Sequence, residues 1–215
     1  MFLEGKKVAF LGDSITEGVG VSSEENIFCN LFAASTGSIA LNYGVSGTRI
    51  APSTRKEKYF DYHDFISRVE NIDPTSDIIV VFGGTNDFGH GDAPLGTFED
   101  NTPNTFYGAM HVLCCDLISK FPNSEIIFMT PLHRIGEDFL VNERALPRVA
   151  LSNYVDAIIE VCRYYSLPVL DLFSTSGIQP AIPVIKEKYM PDGLHPSDAG
   201  ARRIADRLVA FLKKM

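Results

Sequence analysis

Asp77-Ile78-Ile79-Val80-Val81-Phe82 is an apolar run without alternation, bounded by Pro74 on one side and Gly83-Gly84 on the other. A strand that faces water on one side alternates polar with apolar residues, so an unbroken β-branched run reads as a strand buried on both faces. Working outward, Val8 to Leu11, Ile39 to Tyr43, Glu125 to Met129 and Pro168 to Leu172 carry the same signature more briefly. Between them lie segments of helical period: Asn26 to Thr36, closed by Gly37, then a helix within Tyr59 to Asn71, and Thr105 to Lys120, ended by Phe121-Pro122. Further helices are expected from Arg144 to Tyr165 and from Asp198 to Lys213.

Strands and helices in alternation, with strands apolar throughout, predict a parallel sheet covered on both faces. The expected fold is therefore α/β, a three-layer α/β/α sandwich around a five-stranded parallel sheet, flavodoxin-like, with right-handed crossovers. The 215 residues suit a single domain over 1–215. Two long connections, Gly89 to Asn104 and Pro131 to Glu143, stand out, because long loops in compact domains tend to carry function.

Composition narrows the function. With 19 basic against 27 acidic residues the chain carries a formal charge of −8, the wrong balance for general nucleic-acid binding, which needs a basic surface. No stretch approaches the roughly 20 apolar residues of a membrane helix, so no stable membrane insertion is expected. The N-terminus runs straight into a strand without a secretory apolar core, so a cytoplasmic location is expected. The four cysteines, Cys29, Cys114, Cys115 and Cys162, have no zinc spacing, a disulfide framework is not expected in a chain large enough to build its own core, and adjacent Cys114 and Cys115 read as buried, inert thiols. No metal or cofactor is expected. The G-x-G-x-x-G and P-loop patterns are absent, and Asp13 beside Gly12 would repel a phosphate.

In a doubly wound sheet the binding crevice lies outside the carboxyl ends of the strands. The polar residues that follow successive strands are Gly12-Asp13-Ser14, Ser46-Gly47, Gly84-Thr85-Asn86-Asp87 and, before the last helix, Asp192-Gly193-Leu194-His195-Pro196. Together they supply what acyl transfer needs: a hydroxyl, an imidazole, a carboxylate and oxyanion donors. A turn brings residues i and i+3 within about 7 Å, so Asp192 can reach Nδ1 of His195 and leave Nε2 as a base for Ser14. The backbone N–H groups of Ser14 and Gly47 and the side-chain amide of Asn86 are the candidate oxyanion donors. Singly, each block is also a common turn or cap; their fall after separate strands gives the set its meaning.

As a set, Gly12-Asp13-Ser14-Ile15, Asn42-Tyr43-Gly44-Val45-Ser46-Gly47, Gly84-Thr85-Asn86-Asp87 and Asp192-Gly193-Leu194-His195-Pro196 resemble the four blocks of the SGNH hydrolases, the GDSL esterase/lipase superfamily, in family order. Ile15 stands where the motif's name has Leu. The resemblance implies Ser14 as nucleophile, His195 as base, Asp192 as its orienting acid, and an oxyanion hole of Ser14, Gly47 and Asn86. It implies a small-molecule ester as substrate, and the favoured reading is a short acyl group such as acetyl on a sugar or metabolite. The alternatives are a lipase, lysophospholipase or thioesterase for longer chains, or a catalytically silent binding module on the same fold. Oligomeric state is left open.

Asp13, Asp87, Phe88, His90 and His133 are candidates for the pocket lining, with Asp92 beside them, although Asp13 and Asp87 read better as braces of their turns. Phe88, Phe98, Phe106 and Tyr107 could wall an acyl chain or simply pack. His63 and His111 read as ordinary helix residues.

Overall fold

A computed structural model describes residues 3–53, 64–143 and 145–215. The chain runs β1 (Lys7–Gly12), α1 (Ser14–Glu17), α2 (Phe28–Thr36), β2 (Ile39–Gly44), α3 (Phe65–Arg68) and β3 (Ile78–Phe82). It continues with α4 (Thr85–His90), α5 (Phe106–Lys120), β4 (Glu125–Met129), α6 (Leu151–Tyr164) and β5 (Val169–Leu170). The last elements are α7 (Leu172–Thr175), α8 (Pro183–Tyr189) and α9 (Asp198–Leu212). All strand pairs are parallel, in the order β2-β1-β3-β4-β5. This is the doubly wound α/β/α arrangement, and the order reverses at the β1–β3 junction, the place where such sheets bind their ligands.

The sheet divides the core in two. Val8, Phe10, Ile78, Val80 and Phe82 pack under α2 and α9, while Ala9, Leu11, Ile79 and Val81 pack under α3, α5 and α6. Alternate side chains on β1 and β3 thus enter opposite layers, and both layers exclude water, which is why the strands carry no polar phase. On the α2 side Phe10 meets Phe28 and Phe32 edge-on, with ring centroids 5.6 and 5.7 Å apart.

Several boundaries differ from the expectation. The helix expected from Arg144 begins only at Leu151, because Val141 bridges Pro147 in antiparallel fashion and proline holds the preceding residue extended; Arg144 itself lies outside the described residues. The fifth strand is cut to two residues, since Asp171 turns to cap α7, its side chain accepting from Ser174 N. Helix α3 is short and passes into a 3-10 turn over Val69–Asn71, while the expected segment from Tyr59 to His63 lies outside the described residues. A 3-10 turn over Glu24–Asn26 precedes α2. Helix α4 takes the start of the long loop expected from Gly89, and α8, begun by Pro183 at its first turn, was not anticipated. Cys29, Cys114 and Cys162 are buried and free, but Cys115 is exposed, on the outer face of α5. Among the described residues no helix is long and apolar enough to cross a membrane.

Candidate active site

Strand β1 ends against Gly12, and Asp13 caps the helix that follows by accepting from Ile15 N at 3.0 Å. Ser14 is therefore the first residue of α1, where its own N–H has no acceptor within the helix. Its hydroxyl lies 3.0 Å from Nε2 of His195, a residue 181 positions away. The other ring nitrogen, Nδ1, is 2.7 Å from Oδ2 of Asp192. Oδ1 of Asp192 accepts from Leu194 N at 2.8 Å and His195 N at 2.7 Å, so both carboxylate oxygens are engaged within one turn. Partial burial pushes the Asp192 carboxyl up, but the bonds from His195 and Leu194 outweigh it and hold the group below its ordinary value. An ionised Asp192 fixes the proton on Nδ1 and leaves Nε2 facing Ser14. Ser14 is buried, His195 is mostly covered, and half of the Asp192 side chain meets solvent.

Gly20 completes this corner. Its φ of +97° is the left-handed conformation, and a side chain there would run into Pro196 O and the Cβ of His195. The turn is also tied to residues 131–143 by a bond from Ile135 N to Gly193 O at 2.9 Å.

The other expected donors sit on neighbouring loops. Asn86, in the first turn of α4, spends one amide proton on Thr48 O at 2.9 Å and has a second. That contact also fixes which end of the amide is nitrogen. Gly47 lies in the turn between β2 and the segment that leads to α3, with a φ of +76°.

The remaining candidates have surroundings of their own, with Asp13 directly beside Ser14. Asp13 and Asp87 are fully buried braces: Asp87 accepts from Ile50 N at 3.0 Å and Ala51 N at 2.8 Å. Burial raises the Asp13 carboxyl to about 7, with Asp87 adding to the rise, and the Ile15 N–H and Arg68 opposing it. Burial likewise raises Asp87 to about 6 against the pull of the Ala51 and Ile50 N–H groups and Arg49. Phe88 is no pocket wall, because it is buried with the Arg148 guanidinium 3.5 Å from its ring centroid. Phe106 is buried against Tyr154, and Tyr107 donates to Glu160 on α6 at 2.8 Å. Phe98 packs on His111 and Tyr164 in a separate groove of about 460 Å³ between α5 and α6. His90 is half-buried at the end of α4. His133 is not a free loop residue: it pairs with Glu137 at 2.9 Å and stacks on Phe173. Asp92 forms a buried ion pair with Arg49 at 3.2 Å. His63 lies outside the described residues, and His111 is a helix residue bonded to Tyr165 and Phe98 O. Among the described residues no cluster of His, Cys, Asp or Glu is placed to hold a metal.

Sequence reasoning missed Arg68. Its buried guanidinium donates to Gly12 O at 3.1 Å, to Thr48 Oγ1 at 2.9 Å and to Tyr43 O, joining the ends of β1 and β2 to the turn that bears Gly47. An arginine inside a helical segment gives no local sign of such a role. Glu17 was missed as well; its carboxylate accepts from both N and Oγ of Ser46.

Known proteins resemble the chain over nearly its whole length. One solved structure is 34% identical with a TM-score of 0.86, covering 100% of this chain and 99% of its own. A second, from Lactobacillus plantarum, is 32% identical with a TM-score of 0.84, covering 99% and 98%. A lipase/acylhydrolase from Enterococcus faecalis shares the fold at 21% identity, with a TM-score of 0.68 and coverage of 97% and 96%. No curated protein matches. The sequence profile of the GDSL-like Lipase/Acylhydrolase family matches residues 10–203, a span that includes all four blocks, and the chain belongs to that family.

Proposed function

We propose that the chain is a serine esterase that cleaves carboxylic esters through an acyl-enzyme on Ser14. The observation that carries this reading is the series from Ser14 Oγ to Nε2 of His195 at 3.0 Å and from Nδ1 to Asp192 at 2.7 Å. Ser14 Oγ attacks the ester carbonyl carbon while its proton passes to Nε2. The negative charge that develops on the carbonyl oxygen is met by the N–H groups of Ser14 and Gly47 and by the second amide proton of Asn86. Asp192 stabilises the imidazolium. His195 then gives the proton to the departing alkoxide, and the alcohol leaves. Water attacks the acyl-enzyme with Nε2 as base, releasing the acid and restoring Ser14.

The short-acyl preference is supported by the burial of Phe88 and Phe106, which removes two aromatic rings from any acyl-binding wall. A longer-chain reading has one observation in its favour: Ile135, Phe139, Leu140 and Val141 are exposed on the loop bonded to the catalytic turn. Hydrolysis of a chain-length series of p-nitrophenyl esters, with Ser14→Ala as control, tests both. The proposal expects Ser14-dependent turnover that is greatest on acetate or butyrate. A maximum at long chains transfers the assignment to the second reading, and equal rates from wild type and Ser14→Ala remove the esterase assignment.

A further inference from the structure

Thr48 N donates to Val45 O at 3.3 Å, closing a four-residue turn with Ser46 and Gly47 at its centre. Gly47 has a φ of +76°, and Ala145 and Ser166 are the only non-glycine residues with positive φ among those described, so Ser46 is negative. Negative then positive φ at the two central positions defines a type II turn. Type I and type II turns differ by rotation of the central peptide through roughly half a turn. Here that peptide joins Ser46 to Gly47, and its N–H is the one the proposed mechanism uses on the oxyanion. A flip of that peptide would point the Gly47 N–H the opposite way.

Residues on either side of this peptide are gripped. On its C-terminal side Thr48 Oγ1 donates to Val45 O at 2.7 Å and accepts from Arg68, while Thr48 O receives Asn86. On its N-terminal side the grip is Glu17, whose Oε2 takes the Ser46 N–H at 2.7 Å and the Ser46 hydroxyl as well. Glu17 is an exposed residue, and an exposed carboxylate ordinarily stays in water, because fixing a long side chain costs rotamer entropy. This one is committed to two donors on a single residue. It also rides on α1, one turn from Ser14, and α1 is itself seated on Gly44, where any side chain would strike the backbone of Thr16 and Glu17. The nucleophile and the clamp on its oxyanion donor therefore share one rigid element.

We infer that Glu17 is a positioning residue that anchors Ser46 and, through it, the turn whose Gly47 N–H is proposed to meet the oxyanion. The inference rests on the proposed esterase reading for its catalytic consequence, but not for its structural content. Its signature is a loss in kcat without a loss in substrate binding, because the donor acts on charge that exists only in the transition state.

The test compares wild type, Glu17→Ala, Glu17→Gln and Ser14→Ala on p-nitrophenyl acetate, and follows the Gly47 amide in ¹⁵N-labelled protein by NMR. Glu17→Ala is expected to lower kcat by about tenfold or more while KM stays within about twofold. Its Gly47 amide should broaden or split, with the rest of the spectrum and the melting temperature retained. Glu17→Gln keeps an oxygen acceptor and should bring kcat back to within about threefold of wild type. An unchanged kcat with an unmoved Gly47 amide overturns the inference. So does a loss that Gln fails to rescue, or one accompanied by shifts throughout the spectrum. If wild type and Ser14→Ala turn over alike, the esterase reading fails, and the Gly47 amide alone then decides: displaced in Glu17→Ala but not in Glu17→Gln, the clamp stands; unmoved, it falls.

Discussion

At the scale of single residues, Ser14, His195 and Asp192 come together from opposite ends of the chain, and the amide of Asn86 is oriented from a third segment. Removing that amide by Asn86→Ala should cost on the order of a hundredfold in kcat, with KM little changed, as steady-state kinetics on p-nitrophenyl acetate will read. Asp13, beside the nucleophile, offers a prediction about pH. Burial raises it to about 7 from the ordinary carboxyl value of about 4, so between about pH 4 and 7 the folded chain holds a proton that the unfolded chain has released. Stability attributable to Asp13 therefore falls as pH rises through that window, and is greatest below it. Asp13→Asn keeps a competent helix cap and removes the titration. Its melting temperature should exceed that of wild type by on the order of 5 °C at pH 8, and the gap should close at pH 4. Ser14, Gly47 and Asn86 could be picked out of the sequence as candidates because each comes after its own strand, and Asp192 with His195 because they share one turn before the last helix. Glu17, Arg68 and Gly20 could not, since their partners lie 29, 20 to 56 and about 175 positions away and no local pattern encodes those meetings.

At the scale of elements, the strands were the legible part. A β-branched run such as Ile78–Phe82 has one stable use, the middle of a covered sheet, and its neighbours inherit their places from it. The helices were less so where tertiary contacts override pattern. A helix is expected to include residues 145–150, yet Arg148 gives its guanidinium to Phe88 O at 2.7 Å and to the carbonyls of Phe139 and Gly136, which keeps Arg148 out of the helix. Helix α7 depends on its Asp171 cap, and α4, which has no side-chain cap at its start, on the burial of Thr85–Gly89 rather than on propensity. Where elements touch most closely the space is fixed by glycine. Gly44→Ala places a methyl group against the backbone that links Thr16 to Glu17, so α1 must move away from β2. Chemical denaturation should show a loss of about 1–3 kcal/mol, and esterase turnover should fall further than that loss explains, because α1 carries Ser14.

At the scale of the molecule, the sheet separates two apolar layers that share no side chains, one built on Phe10 and the other on Phe106. Phe10→Ala and Phe106→Ala should each destabilise by about 3–5 kcal/mol. Measured in a background stable enough to carry both, the losses should add, since the two rings share no partners. The two layers also hold the strand ends rigid beneath the site, so that four loops reach one rim with their geometry already set. The central claim is that this rim activates Ser14. A fluorophosphonate reports it directly, because its phosphorus is attacked only by a serine whose proton another group removes. Mass spectrometry of the folded, labelled protein should place a single adduct on Ser14, with labelling lost in Ser14→Ala and strongly slowed in His195→Ala. A folded protein that takes up no label, or that labels equally after Ser14→Ala, contradicts the account.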